Sequence, residues 1–102
     1  MEKIFFTLTG TRFFYGHEFM EPGMKVLLVK EPDNEEDSEA IRVEMEGLGK
    51  VGYVANSVRT VQGKSYSAGR LYDKIDDTAL ATVVYVLDRC VLCTLDDSII
   101  TF

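Results

Sequence analysis

Between Met24 and Val54 short apolar runs alternate with turn signals, and that rhythm suits strands rather than helices. Met24–Lys30 (MKVLLVK) is apolar on both parities at its centre, which predicts a strand buried on both faces. Pro32-Asp33-Asn34 ends it. Proline has no N–H to give a ladder, and Asp and Asn side chains fold back on the backbone. Ala40–Met45 then alternates, with Ile41, Val43 and Met45 on one face and Arg42 and Glu44 on the other, as in a half-buried strand. Glu46-Gly47-Leu48-Gly49 predicts a tight hairpin turn, and Lys50–Val54 the returning strand.

The flanking segments extend the pattern. Lys3–Thr9 reads as a first strand. Gly10 and Gly16 bracket Thr11–Tyr15, a short aromatic strand or a bulged continuation of the first. His17 to Gly23 is a connecting loop with a Pro22-Gly23 turn. Asn56–Val61 is expected to start a short helix, capped by Asn56 or Ser57 and ended by Gly63. Ala68–Ile75 fits either a helical turn or irregular structure. Thr78–Leu87 and Arg89–Leu95 are β-branched runs that predict a hairpin about Asp88-Arg89, and Ile99–Phe102 a last edge. The expectation is a single mostly-β domain over residues 1–102.

Composition narrows the function. The net charge is −6, from 11 Lys and Arg against 17 Asp and Glu. Phosphate binding depends on cations that release counterions, so an acidic chain binds nucleic acid only where its cations are segregated. Along the sequence they are. Glu31 to Glu39 holds six carboxylates and no cation, whereas Gly47 to Ile75 carries Lys50, Arg59, Lys64, Arg70 and Lys74 against Asp73 alone. No apolar run approaches the ~18 residues of a bilayer span, and the N-terminus lacks a signal-peptide pattern. A cytoplasmic protein without membrane contact is expected.

Three motifs invite chemistry that their context refuses. Asp33, Glu35, Asp37 and Glu44 fall in an EF-hand register, but Ser38 occupies the position that needs glycine, and the flanks read as strands. Cys90 and Cys93 make a C-x-x-C, but two Cys and one His are too few for a structural zinc site, and no helix start is present for thioredoxin-type chemistry. Two reduced strand cysteines, one or both buried, are expected. His17 has no nucleophile motif to serve. Neither an enzyme nor a cofactor or metal site is expected. Arg12-Phe13-Phe14-Tyr15 is different: it sets a guanidinium for phosphate beside aromatic faces for bases.

Several of these pieces occur together in one known family. Leu8 to Gly16, Pro22 to Leu28, Glu31-Pro32-Asp33-Asn34 with Asp37, Ala40-Ile41-Arg42-Val43 and Val51-Gly52-Tyr53-Val54 appear in the order found in HIRAN domains, which this chain resembles over nearly its whole length. The segment Ser67 to Tyr72 resembles small stand-alone members, which occur as bacterial or phage-like proteins. The resemblance implies an OB-like β-barrel of about six strands with one or two short helices after the central strands. It also implies a pocket for the 3′-terminal nucleotides of single-stranded DNA, in DNA repair or replication, and a helicase partner supplied in trans. By the same resemblance Arg12 and Phe13 grip the strand, Asp37 reads the 3′ hydroxyl, and Tyr53 lines the pocket.

The chain departs from the family at two positions. Glu36 stands where a stacking tyrosine precedes the aspartate, and Asn56 stands where a lysine would meet phosphate. Loss of the stacking face removes about 1–3 kcal/mol. Binding to single-stranded DNA is therefore expected to be weakened, with Arg59, Lys64 and Arg70 available as a different phosphate track. The alternative is a protein-interaction module that keeps the barrel and presents its acidic loop or an exposed edge strand. The two readings separate on charge: DNA binding expects the cations around Phe13 and Tyr53, and the alternative expects them scattered with Glu36 dominating the pocket.

Overall fold

The structure, a computed structural model, describes residues 3–57 and 60–96. Its strands are β1 (Phe5–Thr9), β2 (Lys25–Lys30), β3 (Ile41–Met45), β4 (Gly49–Val54), β5 (Thr78–Val86) and β6 (Val91–Leu95), with one short helix, α1 (Ala68–Tyr72). They form a closed antiparallel barrel in the order β1-β4-β3-β2-β5-β6. Closure comes from β6 returning to β1, with Phe5 opposite Thr94 and Leu8 opposite Val91. Among the described residues no helix is long and apolar enough to cross a membrane.

Strand alternation fills the interior. Phe6, Leu8, Val26, Leu28, Ile41, Val43, Val51, Val83, Val91 and Cys93 are almost completely buried. A six-strand barrel encloses one narrow interior, so it is packed with side chains rather than hollow. This geometry corrects the expectation for β2. Val26 and Leu28 point inward, but Leu27 and Val29 lie on the outside and are only half-buried, because a closed barrel buries one face of each strand.

Gly52 marks a close approach of strands. A Cβ there would lie 2.6 Å from the Thr9 carbonyl oxygen and 2.7 Å from Leu8 Cδ1. Only Leu8↔Val54 and Thr9↔Tyr53 pair β1 with β4. The rest of that seam is filled by the segment before α1, where Tyr66 N–H donates to Phe5 O at 2.7 Å and Ala68 N–H to Ala55 O at 2.9 Å. Ser67 caps α1 by accepting from Arg70 N–H, and Ala68 and Leu71 join the barrel core. The open alternative at Ala68–Ile75 thus resolves to a helix over Ala68–Tyr72, with 73 and 74 in a turn and 75 in a bend.

One local expectation is overturned, and another lies partly outside the described residues. Thr11–Tyr15 is not a strand. Gly10, at φ +76, turns the chain into a 3-10 turn over Thr11–Phe13, because its left-handed backbone breaks the extension of β1. The helix expected over Asn56–Val61 lies partly outside the described residues, since 58 and 59 are not described. Asn56 is irregular, and Thr60 and Val61 N–H both fold back to Ser57 O in a turn; Asn56 spends its side chain elsewhere. Arg59 and the edge expected at Ile99–Phe102 lie outside the described residues.

Candidate nucleic-acid interface

The 3-10 turn presents Arg12 and Phe13 outward. Thr11 is buried and anchors the turn, with Phe13 N–H donating to Gly10 O and both Phe14 and Gly16 N–H to Thr11 O. Phe13 is 72% exposed, and the Arg12 guanidinium lies 4.8 Å from the centre of its ring. His17 ties this turn to the hairpin between β5 and β6. Its Nε2–H donates to Leu87 O at 2.9 Å and Asp88 O at 3.1 Å, so in the neutral ring Nδ1 accepts from the Thr11 hydroxyl at 2.6 Å. The result is an open groove of about 660 Å³ lined by Arg12, Phe13, His17, Thr60, Asp88 and Arg89.

A second groove of about 660 Å³ lies on the other side of the turn that follows Ser57. Ser57 and Val61 line it, as do Asn56, Lys64, Ser67 and Arg70, while Thr60 faces the first groove. The Arg70 guanidinium rests 4.2 Å from the centre of the Tyr66 ring. Asn56 bridges this region to the acidic loop. Its Nδ2–H donates to Asp37 Oδ2 at 2.8 Å, and its Oδ1 accepts from Gly69 N–H at 2.8 Å. Asp37 Oδ1 accepts from Glu39 N–H at 2.9 Å. Asn34 Oδ1 holds the N–H groups of Glu36 and Asp37 and so fixes the loop. Asp37 and Asn56 therefore form one unit, in which Asn56 serves as a splint.

Tyr53 and Phe14 belong to a third assembly. Tyr53 projects from the outer face of β4, where its hydroxyl donates to Glu31 Oε1 at 3.0 Å and accepts from Lys50 Nζ at 2.8 Å. Glu31 also accepts from Asn34 and Arg42, and Arg42 binds Glu44. Lys50 Nζ stands 4.9 Å from the Tyr53 ring centre and 5.8 Å from that of Phe14. Burial alone would raise the Glu31 pKa. The hydrogen bonds from Asn34, Tyr53 and Arg42, with the charge of Lys50, outweigh it and hold Glu31 below its ordinary range. Burial opposes the charge on Lys50 as well, but its bond to Tyr53 and its attraction to Glu31 raise its pKa.

The cations thus divide by task. Lys25, Arg42 and Lys50 pair with carboxylates. Arg12, Arg89, Lys64 and Arg70 have no carboxylate partner among the described residues, and they line the two grooves. Of the expected site residues, Arg12 and Phe13 share one groove. Asn56, Lys64 and Arg70 share the other, with Asp37 bonded at its rim. Phe14 and Tyr53 stand beside Lys50, outside both linings, and Arg59 lies outside the described residues. Glu36 is exposed and lines neither groove. Neither charge pattern set out from the sequence is met in full: four cations gather as one pair in each groove, while Lys3, Lys30 and Lys74, also without a carboxylate partner among the described residues, lie outside both. Sequence reasoning missed Arg89 and the role of His17, because only the closing of the barrel brings the β5–β6 hairpin beside the Gly10 turn.

Cys90 and Cys93 are free and buried. Cys93 lies in β6, whereas Cys90 sits in the turn before it, with Sγ 4.0 Å from Gln62 Oε1. Burial, with a smaller contribution from Cys90, pushes the Cys93 thiol up to about 12.

Comparison with known proteins agrees with this architecture. The crystal structure of the HIRAN domain of human HLTF superposes with a TM-score of 0.60 at 19% identity, covering 91% of this chain and 74% of that one. No curated protein sequence matches the chain. The HIRAN domain family model matches residues 1–99. With nearly every residue inside that match and the OB-like barrel in place, the chain belongs to the HIRAN domain family.

Proposed function

We propose that the protein is a non-enzymatic module that binds single-stranded DNA, with its 3′-hydroxyl end read by Asp37. The observation that carries this reading is the first groove. Arg12 and Arg89 stand there, beside Asp88 but without an ion pair among the described residues, next to a Phe13 ring that is 72% exposed, although the chain as a whole is acidic. Unpaired guanidinium groups suit phosphates, and an exposed ring offers a stacking face to any base. Family membership supports a nucleic-acid-binding role in general terms. Each Asp37 carboxylate oxygen accepts one bond within the protein and keeps lone-pair capacity for a hydroxyl donor. A 3′ phosphate would instead meet repulsion.

A role in repair or replication, and a helicase that supplies the motor in trans, belong to the same proposal. The protein-docking alternative draws on the exposed Phe13, Phe14, Tyr15 and Phe19. Its acidic loop adds the exposed Asp33, Glu35, Glu36 and Glu39, whereas Glu31 is committed to Arg42 and Lys50.

Fluorescence anisotropy at low salt with oligonucleotides ending in a 3′ hydroxyl or a 3′ phosphate tests the reading. Tighter binding of the hydroxyl end, weakened by Arg12→Ala or Phe13→Ala with an unchanged circular-dichroism spectrum, is the expected result. Equal affinity for the two ends would remove the role of Asp37. No binding to either end would move the assignment to a protein partner.

A further inference from the structure

The second groove has the composition of a phosphate path and not of a core defect. Its lining carries Lys64 and Arg70, the Ser67 hydroxyl and the amide of Asn56, with no carboxylate in the lining. Arg70 is held ready on Tyr66 rather than drawn to an acidic partner. The two grooves are equal in volume and flank one short turn, which gives Thr60 to the first and Ser57 and Val61 to the second. Each groove has two cations, one of them an arginine seated on an aromatic ring.

From this arrangement we infer that one DNA strand occupies both grooves, so that Lys64 and Arg70 form a second phosphate subsite beyond the Arg12 groove. The inference rests on the DNA-binding reading and extends it to the length of strand recognised. Sites on OB-type barrels cover about 4–16 nucleotides, and a strand that fills both grooves needs the upper part of that range more than one that fills a single pocket. The subsite also offers positive charge close to the family's lysine position, which Asn56 now occupies.

The test compares wild type, Arg12→Ala and the double variant Lys64→Gln/Arg70→Gln on oligothymidylates of roughly 3 and roughly 12 nucleotides. Affinity is measured by anisotropy across a salt series. Lys64 and Arg70 are exposed, and the capping bond of Arg70 uses its backbone N–H, so the double variant is expected to fold; its thermal melt checks this. Each phosphate contact to a single strand contributes about −0.7 to the slope of log K against log salt. The double variant should therefore lose about 1.4 from the magnitude of the slope on the long oligonucleotide. Arg12→Ala should weaken both. If the double variant keeps the wild-type slope on the long oligonucleotide while Arg12→Ala still weakens binding, the second subsite is wrong and the first groove stands. If wild type binds but none of the variants changes binding, both grooves lose their role and the inference falls; if wild type binds neither oligonucleotide, the DNA-binding reading falls as well.

Discussion

Replacing Gly52 with alanine would press a methyl group into occupied space. The new Cβ would lie 2.6 Å from the Thr9 carbonyl oxygen, and contacts under 3.0 Å are not tolerated, so the strands must part by at least 0.4 Å (3.0 minus 2.6). Leu8 cannot absorb the strain, because it is fully buried in the barrel core. The Thr9 oxygen is backbone, so β1 itself must move away from β4 at the seam where only two residue pairs join them. Overpacking of this kind costs about 1–3 kcal/mol. In a domain of this size each kcal/mol lowers Tm by roughly 4–8 °C. The displacement also reaches function, since Thr9 leads through Gly10 into the turn that aims Arg12 and Phe13. Thermal melts and urea titrations give the stability, and anisotropy well below the melting range gives the binding. A Gly52→Ala protein that melts within about 1 °C of wild type and binds DNA equally well would refute both the close approach and the coupling of β4 to the Arg12 turn.

Three further outcomes follow from the same geometry. His17→Ala leaves the Thr11 hydroxyl and two carbonyls without their partner and unties Arg12 from Arg89; stability should fall by about 1–3 kcal/mol, and DNA affinity should fall even at temperatures where the variant is fully folded. Glu31 has its folded pKa depressed below the ordinary 4.5, so its contribution to stability is present above that pH and is lost as pH falls through the folded value; the stability gap between wild type and Glu31→Gln should close in urea titrations taken down that range. With its pKa near 12, Cys93 should resist a disulfide reagent at about pH 8 and react only after denaturation; prompt labelling of both thiols in the native protein would contradict the burial of β6.

Much of the barrel was legible because alternation is a local signal. Ile41, Val43 and Met45 announce an inward face whatever their partners are, and the Gly47–Gly49 turn pairs β3 with β4 without help from distant residues. What failed was decided by tertiary context. Thr11–Tyr15 has strand-like residues, but the left-handed Gly10 redirects them. Asn56 looks like a helix cap, but it serves Asp37 and Gly69 across the fold. The site was half legible for the same reason. Arg12, Phe13 and Asp37 sit in recognisable local motifs, whereas Arg89 reaches the groove only through the His17 bonds to a hairpin far along the chain.

The pairing of β1 with β6 also has a consequence for how the molecule is made. Phe5 faces Thr94, and the Thr94 hydroxyl donates to Ile4 O, so the first strand waits for nearly the last described residues before the ring can close. Contacts so far apart in sequence carry a loop-closure cost before they reward it, and they place such proteins among the slower two-state folders. During synthesis β2, β3 and β4 can form an early meander, with Phe6 and Leu8 lacking one neighbour until β6 emerges from the ribosome. A nascent chain halted before Val91 should therefore be more open to proteolysis than its content of finished strands would suggest.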